Sequence, residues 1–211
     1  MRLAYLFLQS RRTGWAAVYL ACVVAAVAVL RRILAETSSQ VSGDPLTNEG
    51  SGDPVLLLLV FLPLALAMVI GVGTHGPFGE IERTVSRPLP PLRLGHVAGL
   101  LAIGAAALFL IALTWQGDAE RVFLRNLAGF AGLALLPVPL IGARLSWVLP
   151  FAFGMLAFWV GSNTRDGVTR WAWPMWPAND GLAMGIALGL LALGLVVAVL
   201  FGARDSKDEA E

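Results

Sequence analysis

Residues 181–202 read GLAMGIALGLLALGLVVAVLFG, an apolar run with no charged side chain. About 20 such residues, wound as an α-helix, cross the hydrocarbon layer of a bilayer. The stretch predicts a membrane-spanning helix, so the fold turns on how many more spans the chain holds. Five further apolar runs occupy residues 14–34, 55–73, 95–115, 124–142 and 146–162. The expected fold is all-α: an integral membrane protein of six spans, one transmembrane domain over 1–211. Residues 203–211 form a charged tail, expected in the cytoplasm.

Composition agrees. Of 211 residues, 57% are hydrophobic and 14% charged, whereas a soluble domain carries about a quarter charged residues. A soluble globular enzyme is therefore excluded, and so is a disordered chain, which would be polar and charged. A net charge of +1 gives no broad nucleic-acid surface. One cysteine, Cys22, allows neither an intrachain disulfide nor a cysteine metal cluster. His75 and His96 are too few for a histidine-rich metal site.

Loop charge sets the expected orientation. With the N-terminus in the cytoplasm, the inner segments carry nine basic residues and the outer segments six. Both termini are then expected inside. The first run follows Arg11 and Arg12 and holds Ala26-Val27-Ala28, which is small enough for a cleavage site. Its length and the spans after it favour an uncleaved first span. Residues 1–12 fit a short helix lying at the inner interface. The outer loop 35–54 repeats Ser-Gly-Asp-Pro at 42–45 and 51–54, which is turn chemistry. Asp44, Glu49 and Asp53 there lack the spacing of an EF-hand. The second outer loop, 163–180, holds Trp171, Trp173, Trp176, Pro174 and Pro177 and reads as an interfacial or re-entrant segment.

Two kinds of residue mark packing. Gly181, Gly185 and Gly189 recur every four residues on the last span, and Gly95 and Gly99 do so on the third. Such faces let helix backbones approach closely. Pro63, Pro137, Pro139 and Pro150 predict kinks or hinges. The chemistry of the spans is spare. As placed here, no ionisable residue lies deep within a span, and Arg121, Arg125 and His96 fall at span ends. Ion-coupled carriers place such groups inside the membrane, so a proton antiporter is disfavoured. HExxH and nucleophile motifs are missing. The chain's sole lysine, Lys207, sits in the tail, so no P-loop can form.

The segment between the second and third spans is the most polar. It reads Gly79-Glu80-Ile81-Glu82-Arg83-Thr84-Val85-Ser86-Arg87-Pro88-Leu89, then Arg93-Leu94-Gly95-His96. Residues 79–87 can form a short helix, which Pro88, Pro90 and Pro91 stop. This segment resembles the cytoplasmic loop of ABC-2-type transporter permeases. In that family the loop between spans two and three forms the coupling helix that docks on the ATPase subunit. The resemblance implies six spans, an N-terminal interfacial helix over 1–12 and re-entrant helices within 163–180. It assigns coupling to Glu80, Glu82, Arg83, Thr84 and Arg87. It implies a permease without its own ATPase site, with ATP and Mg bound by a separate ATP-binding cassette subunit. The other partners would be a second copy or a homologous permease, and the lipid bilayer. Location in a bacterial inner membrane and export of an amphipathic, lipid-like, peptide or drug-like substrate also follow from it. Two other readings stay open: a six-helix assembly, immunity or anchoring protein, and a membrane enzyme acting on lipids. The enzyme would draw on Glu80, Glu82, His75 and His96.

Overall fold

The computed structural model describes residues 54–74, 90–113, 118–161 and 171–201. Among these the chain is helical, without strands. The first helix, α1, runs Pro54–Gly73 and α2 runs Pro90–Ala112. The central helix α3 spans Ala119–Leu135, and a single turn, α4, follows at Val138–Ile141. A 3-10 turn at Ala143–Leu145 leads into α5, Val148–Gly161. A second 3-10 turn, Trp173–Met175, precedes α6, Gly181–Phe201. Among the described residues, four stretches are long and apolar enough to cross a membrane: Arg93–Ala112, Ala119–Ile141, Ala143–Gly161 and Gly181–Phe201. They fit a multi-pass membrane protein. The stretch Leu57–Gly73 of α1 is a shorter apolar helix.

Residues 1–12, the first expected span at 14–34, the 79–87 helix and the 203–211 tail lie outside the described residues. Helices occupy the other five expected runs, four of them long enough to cross a membrane, with informative shifts. The third begins at Pro90 rather than 95. Proline lacks an N–H, and the first turn of a helix needs none there, so Pro90 and Pro91 open the helix. The fourth begins at Ala119 rather than 124, which carries Arg121 into the helix and places Arg125 in its second turn. Pro137 separates α3 from α4. Pro150 sits in the first turn of α5, where it starts the helix instead of kinking it.

The core follows from α3. Its span is 61% buried, against 17% for Gly181–Phe201. Val122, Phe123, Leu127, Phe130, Ala131, Ala134 and Leu135 are all buried, so α3 is the axis around which the other helices gather. It crosses α6 with the two backbones in contact. A Cβ on Gly132 would lie 2.3 Å from the carbonyl carbon of Leu190, and one on Gly194 would lie 2.5 Å from the Gly132 oxygen. The glycine faces singled out from spacing are placed differently. A Cβ at Gly95, Gly99, Gly181, Gly185 or Gly189 would meet nothing within 4 Å, so no described element sits on them.

Candidate functional site

The densest polar arrangement among the described residues lies at the start of α3, beneath the 171–180 turn. Sequence placement leaves Arg125 at a span end. In the structure it lies in the second turn of α3 and is fully buried. A buried guanidinium must spend its N–H groups on acceptors. Its Nη1 donates to the Pro177 oxygen at 2.8 Å. Its Nη2 donates to the oxygens of Trp176 at 2.8 Å and Pro174 at 3.2 Å. Its Nε faces Asn126 Oδ1 at 3.4 Å. The Asp180 N–H also donates to the Pro177 oxygen, and the arginine gathers all three carbonyls into one fork.

Asn126, also fully buried, makes a second joint. Its Nδ2 donates to the Pro174 oxygen and to the Leu59 oxygen, each at 3.1 Å. The Leu59 carbonyl is available for a sequence reason. In a helix it would accept from the N–H four residues on, and that residue is Pro63, which has none. Asn126 fills the place of the missing donor, as membrane helices require when proline frees a carbonyl. One amide side chain thus ties α1, α3 and the turn together. A double-mutant cycle tests this. Asn126→Leu should cost about 2 kcal/mol alone. It should cost less in a Pro63→Ala background, where an N–H is restored. Equal costs in thermal unfolding would refute the joint.

Aromatic packing completes the seat of the turn. Trp173 is 3% exposed and lies on Gly129, where a Cβ would come within 2.0 Å of its ring. Phe153 stacks on it at 6.0 Å and 18°, and Phe130 lies tilted at 5.5 Å. Outward, Asn179 Oδ1 accepts from Arg121 Nη1, and its Nδ2 donates to Asp118 at 3.3 Å. The Arg121–Asp118 pair at 3.7 Å is exposed and adds little stability. Asp180 caps α6, its Oδ1 accepting from the N–H groups of Leu182 and Ala183 at 2.9 Å each, the usual N-cap geometry.

At the α1–α2 junction, His96 is buried and its Nε2 lies 3.1 Å from the Gly73 oxygen. A carbonyl only accepts, so Nε2 carries the proton. Gly73 ends α1, and its carbonyl is one of those a helix end leaves without an internal partner. Thr74 Oγ1 donates to Gly71 at 2.7 Å. The end of α1 and the start of α2 are thereby clasped together. The residues expected to couple to a partner, Glu80, Glu82, Arg83, Thr84 and Arg87, lie between them and outside the described residues, as does His75. Among the described residues no group of His, Cys, Asp or Glu could hold a metal.

Sequence reasoning missed the Arg125–Asn126 site because the fourth span was started at 124, which put both residues at its polar edge. The usable signal was Arg121 and Arg125 one turn apart, ahead of an apolar run. No family model matches the chain, and no solved structure matches it. Among curated proteins, a segment is 33% identical over 102 residues to the 4-hydroxybenzoate octaprenyltransferase of Tolumonas auensis. The match covers 44% of this chain and 33% of that protein. The chain thus spans about a third of the length of the curated relative it matches.

Proposed function

We propose that the chain is the membrane-spanning permease subunit of an ATP-driven transporter, with hydrolysis supplied by a separate ATP-binding cassette subunit. In this reading residues 14–34 add a first span, 1–12 lie at the inner interface, and 79–87 form the coupling helix. Both termini face the cytoplasm of a bacterial cell, and two such subunits enclose the path. One observation carries it: the His96–Gly73 clasp brings together the helix ends that flank the Glu80–Arg87 cluster. A charged segment whose two flanking helices are joined to each other suits the transmission of a partner's motion. Glu80, Glu82, Arg83, Thr84 and Arg87 would meet the partner through ion pairs and hydrogen bonds.

Purification in mild detergent should retain a P-loop ATPase, and its absence counts against the reading. In the assembled complex, Glu82→Arg with Arg83→Glu should lower substrate-stimulated ATPase activity at least tenfold, leaving the fold intact. Unchanged stimulation removes the coupling assignment.

The partial match favours a second reading, a membrane enzyme acting on a long apolar chain. Membranes carrying the chain would then form octaprenylated 4-hydroxybenzoate, measured by mass spectrometry.

A further inference from the structure

We infer that the unpartnered face of α6, marked by Gly181, Gly185, Gly189 and Ala192, is the docking surface for this chain's own first apolar run, residues 14–34, with Arg32 set against Asp180. The run lies outside the described residues. The inference rests on the six-span part of the permease reading and on nothing about the ATPase.

The face is built for a neighbour. α6 buries Ala183, Ala187, Gly194 and Ala198. Two residues along a helix is more than half a turn, so Gly181, Gly185 and Gly189 lie on the other side, and with Ala192 they are exposed. A Cβ on any of these three glycines meets nothing within 4 Å. Glycine is a poor helix former, and a row of it is useful where another helix comes close. The buried side of α6 already uses small residues in that way against α3.

Three observations choose the occupant. The first is register. Ala21, Ala25, Ala28 and Arg32 recur at every third or fourth position of the run, which is one face of a helix. The run rises from the inner side, whereas α6 descends from the 171–180 turn. With equal rise per residue, setting Ala28 level with Gly185 brings Ala21 level with Ala192, Arg32 level with Gly181, and Ala25 within one residue of Gly189.

The second is charge. Asp180 stands at the outer end of the face, and only its Oδ1 is engaged in capping α6. Arg125 attracts it through space but spends its N–H groups on carbonyls. Arg32 supplies the opposite charge at that level. A second copy, paired through this face about an axis along the membrane normal, would instead set two Asp180 carboxylates together. The other exposed small-residue face, on α2, carries no acid in residues 109–113 at its outer end.

The third is the connection. The run joins α1 through residues 35–53, and α1 begins at Pro54. The Leu59 carbonyl is tied through Asn126 to Pro174, in the turn that leads into α6. The chain therefore re-enters the described bundle beside the outer end of α6, and a link of that length reaches about 60 Å when extended.

Disulfide trapping in membranes tests this on the full chain, with Cys22→Ser and a protease site placed within 35–53. Ala21→Cys with Ala192→Cys should crosslink within one chain at least tenfold faster than Val23→Cys with Ala192→Cys, since position 23 is on the far face of the run. Gly185→Leu should slow the 21–192 crosslink at least tenfold, and Gly185→Ala, which keeps the row small, should change it less than twofold. Arg32→Gln should slow it several-fold, but not when Asp180→Asn is already present, asparagine keeping the cap. Equal rates for the two cysteine pairs, or an unchanged rate in Gly185→Leu, overturn the docking. A crosslinked dimer from Ala192→Cys alone gives the face to a second copy and overturns it as well. Native Cys22 separates this failure from that of the span. If Cys22 resists a membrane-impermeant maleimide while no crosslink forms, the docking falls and the span stands; if Cys22 reacts, both fall. Loss of an ATPase partner touches neither.

Discussion

Gly132→Val is expected to abolish the packed bundle. At this crossing no side chain separates α3 from α6, since a Cβ would fall 2.3 Å from the Leu190 backbone. Flexible side chains can turn aside, but two helix backbones must separate. Overpacking costs about 1–3 kcal/mol where side chains yield, so this position should exceed the upper end of that range. The loss would spread, because α3 is the axis of the core. Size-exclusion chromatography in mild detergent should show aggregation, and the thermal transition should vanish. Gly185→Ala is the control. Nothing lies within 4 Å of its Cβ position, and stability should stay within about 0.5 kcal/mol. Equal damage at both positions would refute the backbone crossing.

Arg125→Leu is expected to release the 171–180 turn. The substitution removes a donor from the carbonyls of Pro174, Trp176 and Pro177. Pro174 keeps Asn126 as a donor and Pro177 keeps the Asp180 N–H, so the loss falls mainly on the Trp176 carbonyl. At about 1–3 kcal/mol for a buried orphan, the loss should be roughly 2 kcal/mol. Trp173 would leave its seat on Gly129, and tryptophan emission should shift to the red. Arg125→Lys should recover part of the loss, because an ammonium donates three bonds but without the planar fork. An unshifted emission spectrum in Arg125→Leu would show that the turn is held by other means.

The four described apolar helices long enough to span were legible because they depend on hydropathy over some twenty residues, a signal that needs no tertiary information. Residues 181–202 illustrate this, since the helix ends within a residue of the expected place. Packing was not legible. The regular spacing of Gly181, Gly185 and Gly189 drew attention, but Gly132 and Gly194 make the contact, and they share no repeat. Close approach depends on where two helices cross, which periodicity along one helix does not encode. Arg125 was hidden for a related reason. An arginine near a span end usually reaches for water. It is buried here only because a segment about fifty residues later in the sequence folds back over it.

The joint at Asn126 also bears on how the chain enters a membrane during synthesis. Helix α1 is made first, with the Leu59 carbonyl bared by Pro63, and an exposed carbonyl in hydrocarbon is costly. Its donor lies 67 residues further along, and Pro174, the joint's last member, follows 48 residues after that. Helix α1 stays incomplete until its amide partner arrives, and that partner is fully engaged only when the turn closes. The joint of α1, α3 and the turn is therefore complete only once residue 174 has been made, so α1 acquires its last hydrogen-bond partner late in synthesis.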